Sequence, residues 1–311
     1  MTEPTLAHDL LGPARYTRTE VAAAAQVDLA VADRLWTAMG FPIARDDAVV
    51  YTEADLAALR RAAELIGGGS YDPQILIGLA RAMGQNLSRL AQTHAQLLAA
   101  HPEAAGEEQA VLSVSAIAEL VDYVWRRHLH AALDGAADAP GSTASGVQKL
   151  LVVGFADLDG YTRLSRRLEA TELSALVDSF EDITSTVVTQ GGGRVVKTAG
   201  DDVLFTCIDP VAAVLIGLDI VDRITEQPDL PGVSVGLAYG SVLLRLGDVF
   251  GPVVNLASRL TGVARPGTVL SDREVADAIV GSTAVRARTL RRRAVGGYGH
   301  LAAYRLDRVK D

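Results

Sequence analysis

The stretch LLVVGFADLDGYTRLSRRLEA, residues 150–170, decides the fold of the C-terminal half of this chain. It opens with a short apolar run that includes β-branched valines, which predicts a buried strand over residues 150–156. Asp157 and Asp159 follow at the C-terminal end of that strand, and Gly160 comes next, where a helix is predicted to begin. The pattern therefore predicts two carboxylates at a strand end, beside the free amide groups of a helix N-terminus.

A second acidic pair, Asp201 and Asp202, lies between two β-like runs at 194–198 and 203–207. Gly200 immediately precedes the pair and allows a tight hairpin turn there. A strand end and the tip of a neighbouring hairpin can bring their carboxylates together. Converging carboxylates suit hard divalent cations and, beside free amides, phosphate groups.

Length and composition set broad bounds on function. The 311 residues are enough for two ordinary domains, and the 49% hydrophobic content lets each build a core. We find no run apolar enough for a transmembrane helix and no signal-peptide pattern, and so expect no membrane span. Cys207 is the only cysteine, which excludes an internal disulfide and favours a reducing, cytoplasmic setting.

Helical periodicity dominates residues 14–133, and we assign residues 1–134 to an all-helical domain. Thr17 and Glu20 have capping-box spacing and predict the start of the first helix, which is expected to run on to Met39. The predicted helices are 18–39, 53–66, 73–97 and 107–133. Small residues dominate 135–147, which we interpret as a linker.

The first two helical segments, 17–41, resemble a winged-helix reader of DNA. Residues 1–50 nevertheless hold seven acidic residues against four arginines, a net charge of −3 where a phosphate footprint should be basic. The whole chain carries a net charge of −9, which also disfavours broad binding to nucleic acid or anionic membranes. We therefore predict no nucleic-acid partner.

After the linker, strand-like and helix-like segments alternate. This order predicts an α+β domain with a βαββαβ, palm-like core over residues 148–311. The predicted segments are a strand at 150–156, a helix at 160–189, a hairpin at 193–207, a helix at 210–226, a strand at 233–239, a helix at 252–264, a strand at 268–270, a helix from Asp272, and strands near 285–291 and 302–306.

Three motifs carry a family resemblance: FADLDGYT at 155–162, KTAGDDVLF at 197–205 and GDVFGPVVNLASRL at 247–260. Together, in this order and spacing, they make residues 148–307 resemble the catalytic domain of class III nucleotidyl cyclases. The helical half followed by a linker is similar to the regulatory region of soluble, pH-responsive bacterial adenylyl cyclases. The resemblance implies attack of the ribose 3′-oxygen on the α-phosphorus of ATP, giving cyclic AMP and pyrophosphate.

The resemblance also implies two divalent cations, Mg²⁺ or Mn²⁺, that activate the 3′-oxygen and hold the triphosphate. Asp157 and Asp201 occupy the two metal-ligand positions of the family, with the backbone carbonyl of Leu158 as a further ligand. Asp159 and Asp202 fit the ordinary roles of turn former or helix cap, and we assign them no metal.

Substrate recognition follows from the same motifs. The backbone amides of Gly160, Tyr161 and Thr162 are expected to meet the β- and γ-phosphates. Lys197 and Asp248 match the pair that reads the purine in the family. Because adenine offers an acceptor at N1 and a donor at its 6-amino group, a lysine and an aspartate favour ATP over GTP.

Asn255 and Arg259 are four residues apart and share a helix face. By resemblance, the asparagine orients the ribose and the arginine stabilises charge on the α-phosphate in the transition state. The family builds two composite sites at the interface of a two-fold homodimer. The metal-binding acids come from one subunit, and the purine pair, the asparagine and the arginine come from the other.

Two departures from the family pattern are visible. The stretch 295–300 lacks the C-terminal lysine that often contacts the terminal phosphates, and Arg291, Arg292 and Arg293 are the nearby cations. The connection from Gly240 to Asp248 is short, so the dimerisation arm found in many relatives is expected to be reduced.

His128 and His130 lie at the end of the last N-terminal helix, beside the linker. Two interpretations stay open: ordinary complementarity to the helix C-terminus, and a pH switch, since histidine titrates near neutrality. The apolar helices are also compatible with a lipid-like ligand, although nothing in the sequence demands one.

Two other functions are weighed against adenylyl cyclase. One is a diguanylate cyclase, whose signature hairpin is loosely echoed by AGDDV at 199–203. The helix bearing Asn255 and Arg259 argues against it. The other is a catalytically silent module that binds nucleotide and signals through the helical half.

Overall fold

The computed structural model describes residues 10–69, 71–100, 107–136, 146–290, 293–295 and 299–309. The chain divides into two compact units, residues 1–140 and 141–311. Most of the linker predicted at 135–147 lies outside the described residues, as do Arg291 and Arg292. None of the described helices combines the length and the hydropathy needed to cross a membrane.

The N-terminal unit is helical, as predicted. Thr17 and Thr52 each close a capping box, with Glu20 and Asp55 respectively. The helices are α1 (Arg18–Ala24), α2 (Leu29–Met39), α3 (Glu53–Gly67), α4 (Pro73–Ala100) and α5 (Glu107–Ala136).

The prediction of one continuous helix over 18–39 is wrong. Gln26 has a φ of 57°, which ends the helical path after α1. The Asp28 carboxylate then caps α2 by accepting from the amides of Ala30 and Val31. The alanine-rich helical pattern of the sequence does not show this break. The Asp28 side chain starts a new helix there by bonding to the backbone.

The core of this unit forms where α1, α2, α3 and the first turns of α4 meet. Trp36 packs on Tyr51 with ring centroids 4.5 Å apart, and Leu76 on α4 is buried nearby. Farther along α4 the apolar side chains are exposed, as are several on α5. The exposed side chains include Met83, Leu87, Leu90, Leu97, Tyr123, Trp125 and Leu133. The apolar stripes read from the sequence are therefore only partly buried within one chain.

The C-terminal unit is built on a mixed sheet with the order β2-β3-β1-β4-β6-β10-β7, and β5 pairs with β4. All pairings are antiparallel except β4 with β6. The strands are β1 (Val147–Leu158), β2 (Arg194–Ala199), β3 (Asp202–Cys207), β4 (Val233–Arg245), β5 (Asp248–Phe250), β6 (Thr268–Ser271), β7 (Val285–Thr289) and β10 (Tyr304–Arg308). A separate hairpin consists of β8 (Arg293–Val295) and β9 (Gly299–Leu301).

Helices cover both faces of the sheet, which confirms the predicted α+β class with a helical region before it. On one face, α7 and α8 pack around Phe180, Phe205 and Ile220. On the other face, α9 packs against Val153, Leu204 and Ala238. The helices of this unit are α6 (Tyr161–Leu164), α7 (Ala170–Gln190), α8 (Pro210–Thr225), α9 (Pro252–Val263) and α10 (Arg273–Ala278).

Several predicted boundaries change. The helix expected over 160–189 is two helices, because Glu169 is extended and caps α7. The strand expected over 233–239 runs on to Arg245, where Leu246 and Gly247 make a tight turn into β5 with φ of 53° and 83°. The connection from Gly240 to Asp248, which the sequence predicts to be short, therefore consists of the end of β4 and this two-residue turn. The short strands β5, β8 and β9 were not predicted, because runs of three residues carry no periodicity.

Candidate active site

Three carboxylates meet where β1 ends. The antiparallel register of β1 and β3 places Asp157 directly opposite Asp202, and the Leu158 amide donates to the Asp201 carbonyl oxygen over 3.1 Å. Gly200 makes the hairpin turn with a φ of 69°, a conformation that favours glycine. One ligand atom from each of Asp157, Asp201 and Asp202 lies within 4.8 Å of the others.

The electrostatics of this cluster favour a bound cation. Burial, then the charges of Asp202 and Asp201, raise the pKa of Asp157 to about 7. Burial also raises the pKa of Asp202. Asp157 and Asp201 are partly buried and Asp202 is exposed, and three carboxylates this close repel one another when all are ionised. Oxygen ligands at this spacing suit Mg²⁺ or Mn²⁺, so the residues fit the cations that the sequence analysis implies.

Asp159 stands apart from that group. Its Oδ1 accepts from the Ser234 hydroxyl over 2.9 Å, and its amide donates to the Gly232 carbonyl over 2.8 Å. Burial raises the pKa of the Asp159 carboxyl, and the bond from Ser234 acts in the opposite direction. These contacts tie the end of β1 to the start of β4.

The sequence predicts that Asp202 belongs to the acidic pair at the hairpin tip, with its side chain in the role of a turn former or helix cap. Its side chain joins the cluster because the register of β3 on β1 sets it opposite Asp157. Two adjacent acids at a hairpin tip were the available signal, since the turn can present both.

A cleft of about 340 Å³ opens beside the acidic cluster. Asp157 and Asp202 line it from the sheet, and Arg259 lines it from α9. The other lining residues are Phe155, Ser258, Thr261, Gly262 and Val263. Asn255 and Arg259 are both exposed on α9. One chain thus brings Arg259 to the same cleft as Asp157, which the resemblance assigns to the opposite subunit, and as Asp202.

Lys197 and Asp248 are in direct contact. The Lys197 Nζ donates to the Asp248 Oδ2 over 2.7 Å, and the Asp248 Oδ1 accepts from the Val249 amide over 2.8 Å. The Arg194 guanidinium donates to the Gly247 carbonyl over 3.0 Å and so ties the β4–β5 turn to β2. The side chains of Lys197 and Asp248 remain accessible to solvent, with 48% and 31% exposed respectively.

The predicted phosphate-binding turn follows the acids directly. Gly160 has a φ of 74° and precedes α6, which is a single turn. Tyr161 packs partly into the core, while Gly160 and Thr162 are exposed. Leu158, whose backbone carbonyl is a predicted ligand, is 1% exposed as a whole residue.

The regulatory candidates lie in the other unit. His128 and His130 are exposed on α5. Arg293 belongs to β8, but its side chain lies outside the described part of the chain, so no residue is assigned in place of the missing lysine.

Comparison with known proteins identifies the family of the chain. Residues 146–307 match the family described as the adenylate and guanylate cyclase catalytic domain. An adenylate cyclase of Streptomyces coelicolor is 40% identical over 276 residues, covering 86% of this chain and 72% of the relative. One from Glutamicibacter nicotianae is 34% identical over 340 residues, covering 98% and 82%.

The similarity to these relatives extends beyond the catalytic unit. A protein of Mycobacterium tuberculosis named a pH-sensitive adenylate cyclase is 32% identical over 273 residues, covering 81% of this chain and 67% of the relative. The two resemblances drawn from the sequence are thereby confirmed. With its mixed sheet, its converging acids and these matches, the chain belongs to the adenylate and guanylate cyclase catalytic domain family.

Proposed function

We propose that this chain is an adenylyl cyclase that converts ATP to 3′,5′-cyclic AMP and pyrophosphate. The observation that carries the proposal is the convergence of Asp157 and Asp201, from separate segments of the chain, beside the cleft lined by Arg259. The names of relatives at 34–40% identity over most of the chain support the same reaction.

Asp157 and Asp201, with the Leu158 carbonyl, would hold two divalent cations, Mg²⁺ or Mn²⁺. When bound, such cations neutralise the triphosphate and make the ribose 3′-hydroxyl easier to ionise. The crowded, half-buried carboxylates support this role, because a cation offsets their mutual repulsion.

The remaining residues bind and orient the nucleotide. Lys197 donates to adenine N1 and Asp248 accepts from the 6-amino group, so ATP is preferred to GTP. The Gly160, Tyr161 and Thr162 amides hold the β- and γ-phosphates at the start of α6.

Asn255 and Arg259 act from one helix. Asn255 orients the ribose, and Arg259 places its charge where negative charge develops on the α-phosphate. The exposure of both side chains on α9 supports these roles, as does the position of Arg259 in the lining of the cleft.

The working unit is a homodimer with two composite sites. Lys197 lies only four residues from Asp201, so one hairpin is badly placed to serve both ends of ATP. A two-fold arrangement resolves this by taking the purine pair, Asn255 and Arg259 from the partner. The exposed apolar side chains of α4 and α5 supply surface of the kind that packs in assemblies. Because Arg259 also lines the cleft of its own chain, the alternative arrangement is an arginine that acts within one subunit.

Residues 1–134 form the regulatory domain, joined by the linker at 135–147 to the catalytic domain at 148–311. The regulation includes a response to pH, and His128 and His130 are its candidates because histidine titrates near neutrality. The open apolar faces of α4 and α5 are where an apolar ligand would bind, if this domain takes one.

One assay tests the function. The purified chain is incubated with Mn²⁺ and either ATP or GTP, and cyclic and linear products are separated by chromatography. We expect cyclic AMP from ATP. Formation of a cyclic dinucleotide from GTP would support the diguanylate cyclase alternative. Nucleotide binding without any product would support the silent module.

A further inference from the structure

Helix α9 rests directly on the backbone of β4 at Gly236. A Cβ at Gly236 would lie 2.4 Å from the Thr261 amide nitrogen, 2.5 Å from the Ala257 carbonyl oxygen and 2.5 Å from the Thr261 Oγ1. Two of these three atoms belong to the helix backbone and cannot rotate away. Any side chain at this position therefore has to lift α9 from the sheet.

The Thr261 side chain of α9 forms hydrogen bonds at the same position. The Thr261 hydroxyl contacts the Ala257 carbonyl over 2.9 Å and the Phe155 carbonyl over 3.4 Å. Phe155 is the register partner of Gly236 across β1 and β4. The hydroxyl thus links the helix to the strand pair at a residue where no side chain separates them.

The functional side chains of α9 do not take part in this contact. Ala257 and Thr261 are one helical turn apart and buried against the sheet. Asn255 and Arg259 are each two residues from Ala257, about 200° around the helix, and Arg259 lines the same cleft as Phe155 and Thr261. Because both belong to one rigid helix, a shift at the contact moves both together.

We propose that Gly236 and Thr261 are positioning residues that set the distance of α9 from the sheet, and so the positions of the Asn255 and Arg259 side chains. The inference rests on the proposed function. The missing side chain at position 236 lets α9 sit close to the sheet, and the Thr261 hydroxyl keeps it there. For a transition-state contact, a displacement of about 1 Å can cost roughly 100-fold in rate.

Gly236→Ala is the direct test, with Gly240→Ala as its matched control. Gly240 faces α9 from the same strand, but its Cβ would meet only a methyl carbon of the Val253 side chain at 2.9 Å. We expect Gly236→Ala to lower kcat by about 100-fold with the KM for ATP changed by no more than about twofold. Gly240→Ala should stay close to wild type. Equal losses in the two variants would overturn the inference.

A second pair of variants avoids adding any bulk, in case Gly236→Ala does not fold. Thr261→Ala removes the hydroxyl bond and should lower kcat by about tenfold at constant KM. Thr261→Ser keeps the hydroxyl and should restore most of the rate. Failure of serine to rescue would overturn the role of the hydroxyl.

A double-mutant cycle separates positioning from general structure. If Gly236 acts through Arg259, Gly236→Ala should cost far less in an Arg259→Lys background than in wild type. Additive losses would overturn the inference, because they place the effect elsewhere. Full activity of Arg259→Lys and of Arg259→Ala would instead refute the role given to Arg259 in the proposed function.

Discussion

The Lys197 Nζ lies 2.7 Å from the Asp248 Oδ2, although 51 residues separate the two in the chain. Lys197 is on β2, and Asp248 is the first residue of β5, beyond the tight turn that ends β4. Each side chain therefore satisfies the other before any nucleotide is bound. A purine edge with one acceptor and one donor can replace the bond between Lys197 and Asp248 by one hydrogen bond to each side chain. A purine edge that is apolar, or that has its donor and acceptor in the opposite order, leaves both side chains unpaired.

Base choice is the first prediction. Lys197→Glu with Asp248→Cys should depress kcat/KM for ATP by roughly 100-fold or more, because both edge contacts are lost and the glutamate repels the adenine acceptor. Steady-state kinetics with ATP and GTP measure the change. The control is Arg273→Glu with Asp277→Cys, which breaks an exposed ion pair of 3.2 Å on α10. Unchanged ATP kinetics in the first double variant would remove both residues from the purine pocket.

The composite site gives the second prediction. Asp157→Ala and Arg259→Ala should each be nearly inactive as homodimers. After mixing and subunit exchange, half the dimers are mixed and about a quarter of all sites regain a full set of residues. Activity should return and should depend on protein concentration.

If both residues act within one chain, the same mixture stays inactive, because every site keeps one lesion. A tagged pull-down must first demonstrate that the subunits exchange. Exchange without recovered activity would reject the composite site and favour the arrangement in which Arg259 serves its own cleft.

Cation binding is the third prediction. Asp157→Asn and Asp201→Asn should each weaken Mn²⁺ binding by roughly tenfold or more, measured by electron paramagnetic resonance. Asp159→Asn is the matched control, since that carboxyl is held by Ser234. Because the pKa of Asp157 is raised to about 7, Mn²⁺ affinity should rise as pH increases through that value.

The Asp202→Asn variant tests whether Asp202 is itself a metal ligand. Because no metal is assigned to Asp202, its replacement should leave Mn²⁺ affinity within about threefold. It should also move the pH dependence of Mn²⁺ binding to lower pH, since the charge of Asp202 no longer raises the pKa of Asp157. A loss as large as that of Asp201→Asn would make Asp202 a ligand.

The fourth prediction concerns stability. Asp272 is 3% exposed and accepts from the amides of Val275 and Tyr239 over 2.9 Å and 3.0 Å. Burial raises its pKa to about 7, and the two amides act in the opposite direction. Below this pKa the folded chain holds a proton that the unfolded chain releases near pH 4.

The stabilisation from Asp272 is therefore largest at acid pH and falls by about 1.4 kcal/mol per pH unit up to pH 7. Relative to Asp272→Asn, the wild type should lose unfolding free energy between about pH 5 and 7. Circular dichroism follows the unfolding, and fluorescence identifies the helical unit, which holds both tryptophans, Trp36 and Trp125. The exposed Asp277→Asn is the control, and parallel pH profiles for wild type and Asp272→Asn would contradict the prediction.

Regulation gives the fifth prediction. If His128 and His130 carry a pH response, replacing both by asparagine should flatten the activity profile between about pH 5.5 and 8. His94→Asn, on α4, is the matched control. A wild-type profile in the double variant would move the search to other groups. A fragment that begins near Val147 should stay active and lose the response.

Local signals in the sequence determined much of this protein. The apolar run after residue 150 placed a buried strand, Gly200 placed the hairpin, and the capping box at Thr17 placed a helix start. These features depend on interactions within a few residues, so the sequence alone defines them. The motifs around Asp157, Lys197 and Asn255 were likewise enough to identify the family.

Tertiary structure decided what depends on register and on distant partners. Asp202 joins the acidic cluster only because β3 pairs with β1 in a register that sets it opposite Asp157, and a slip of one residue would turn it to the other face. The bond from Lys197 to Asp248 requires the turn after β4 to meet β2. The packing of α9 on Gly236 requires the backbones of α9 and β4 to come into contact. Such contacts join residues far apart in the chain, and no local pattern encodes their distances.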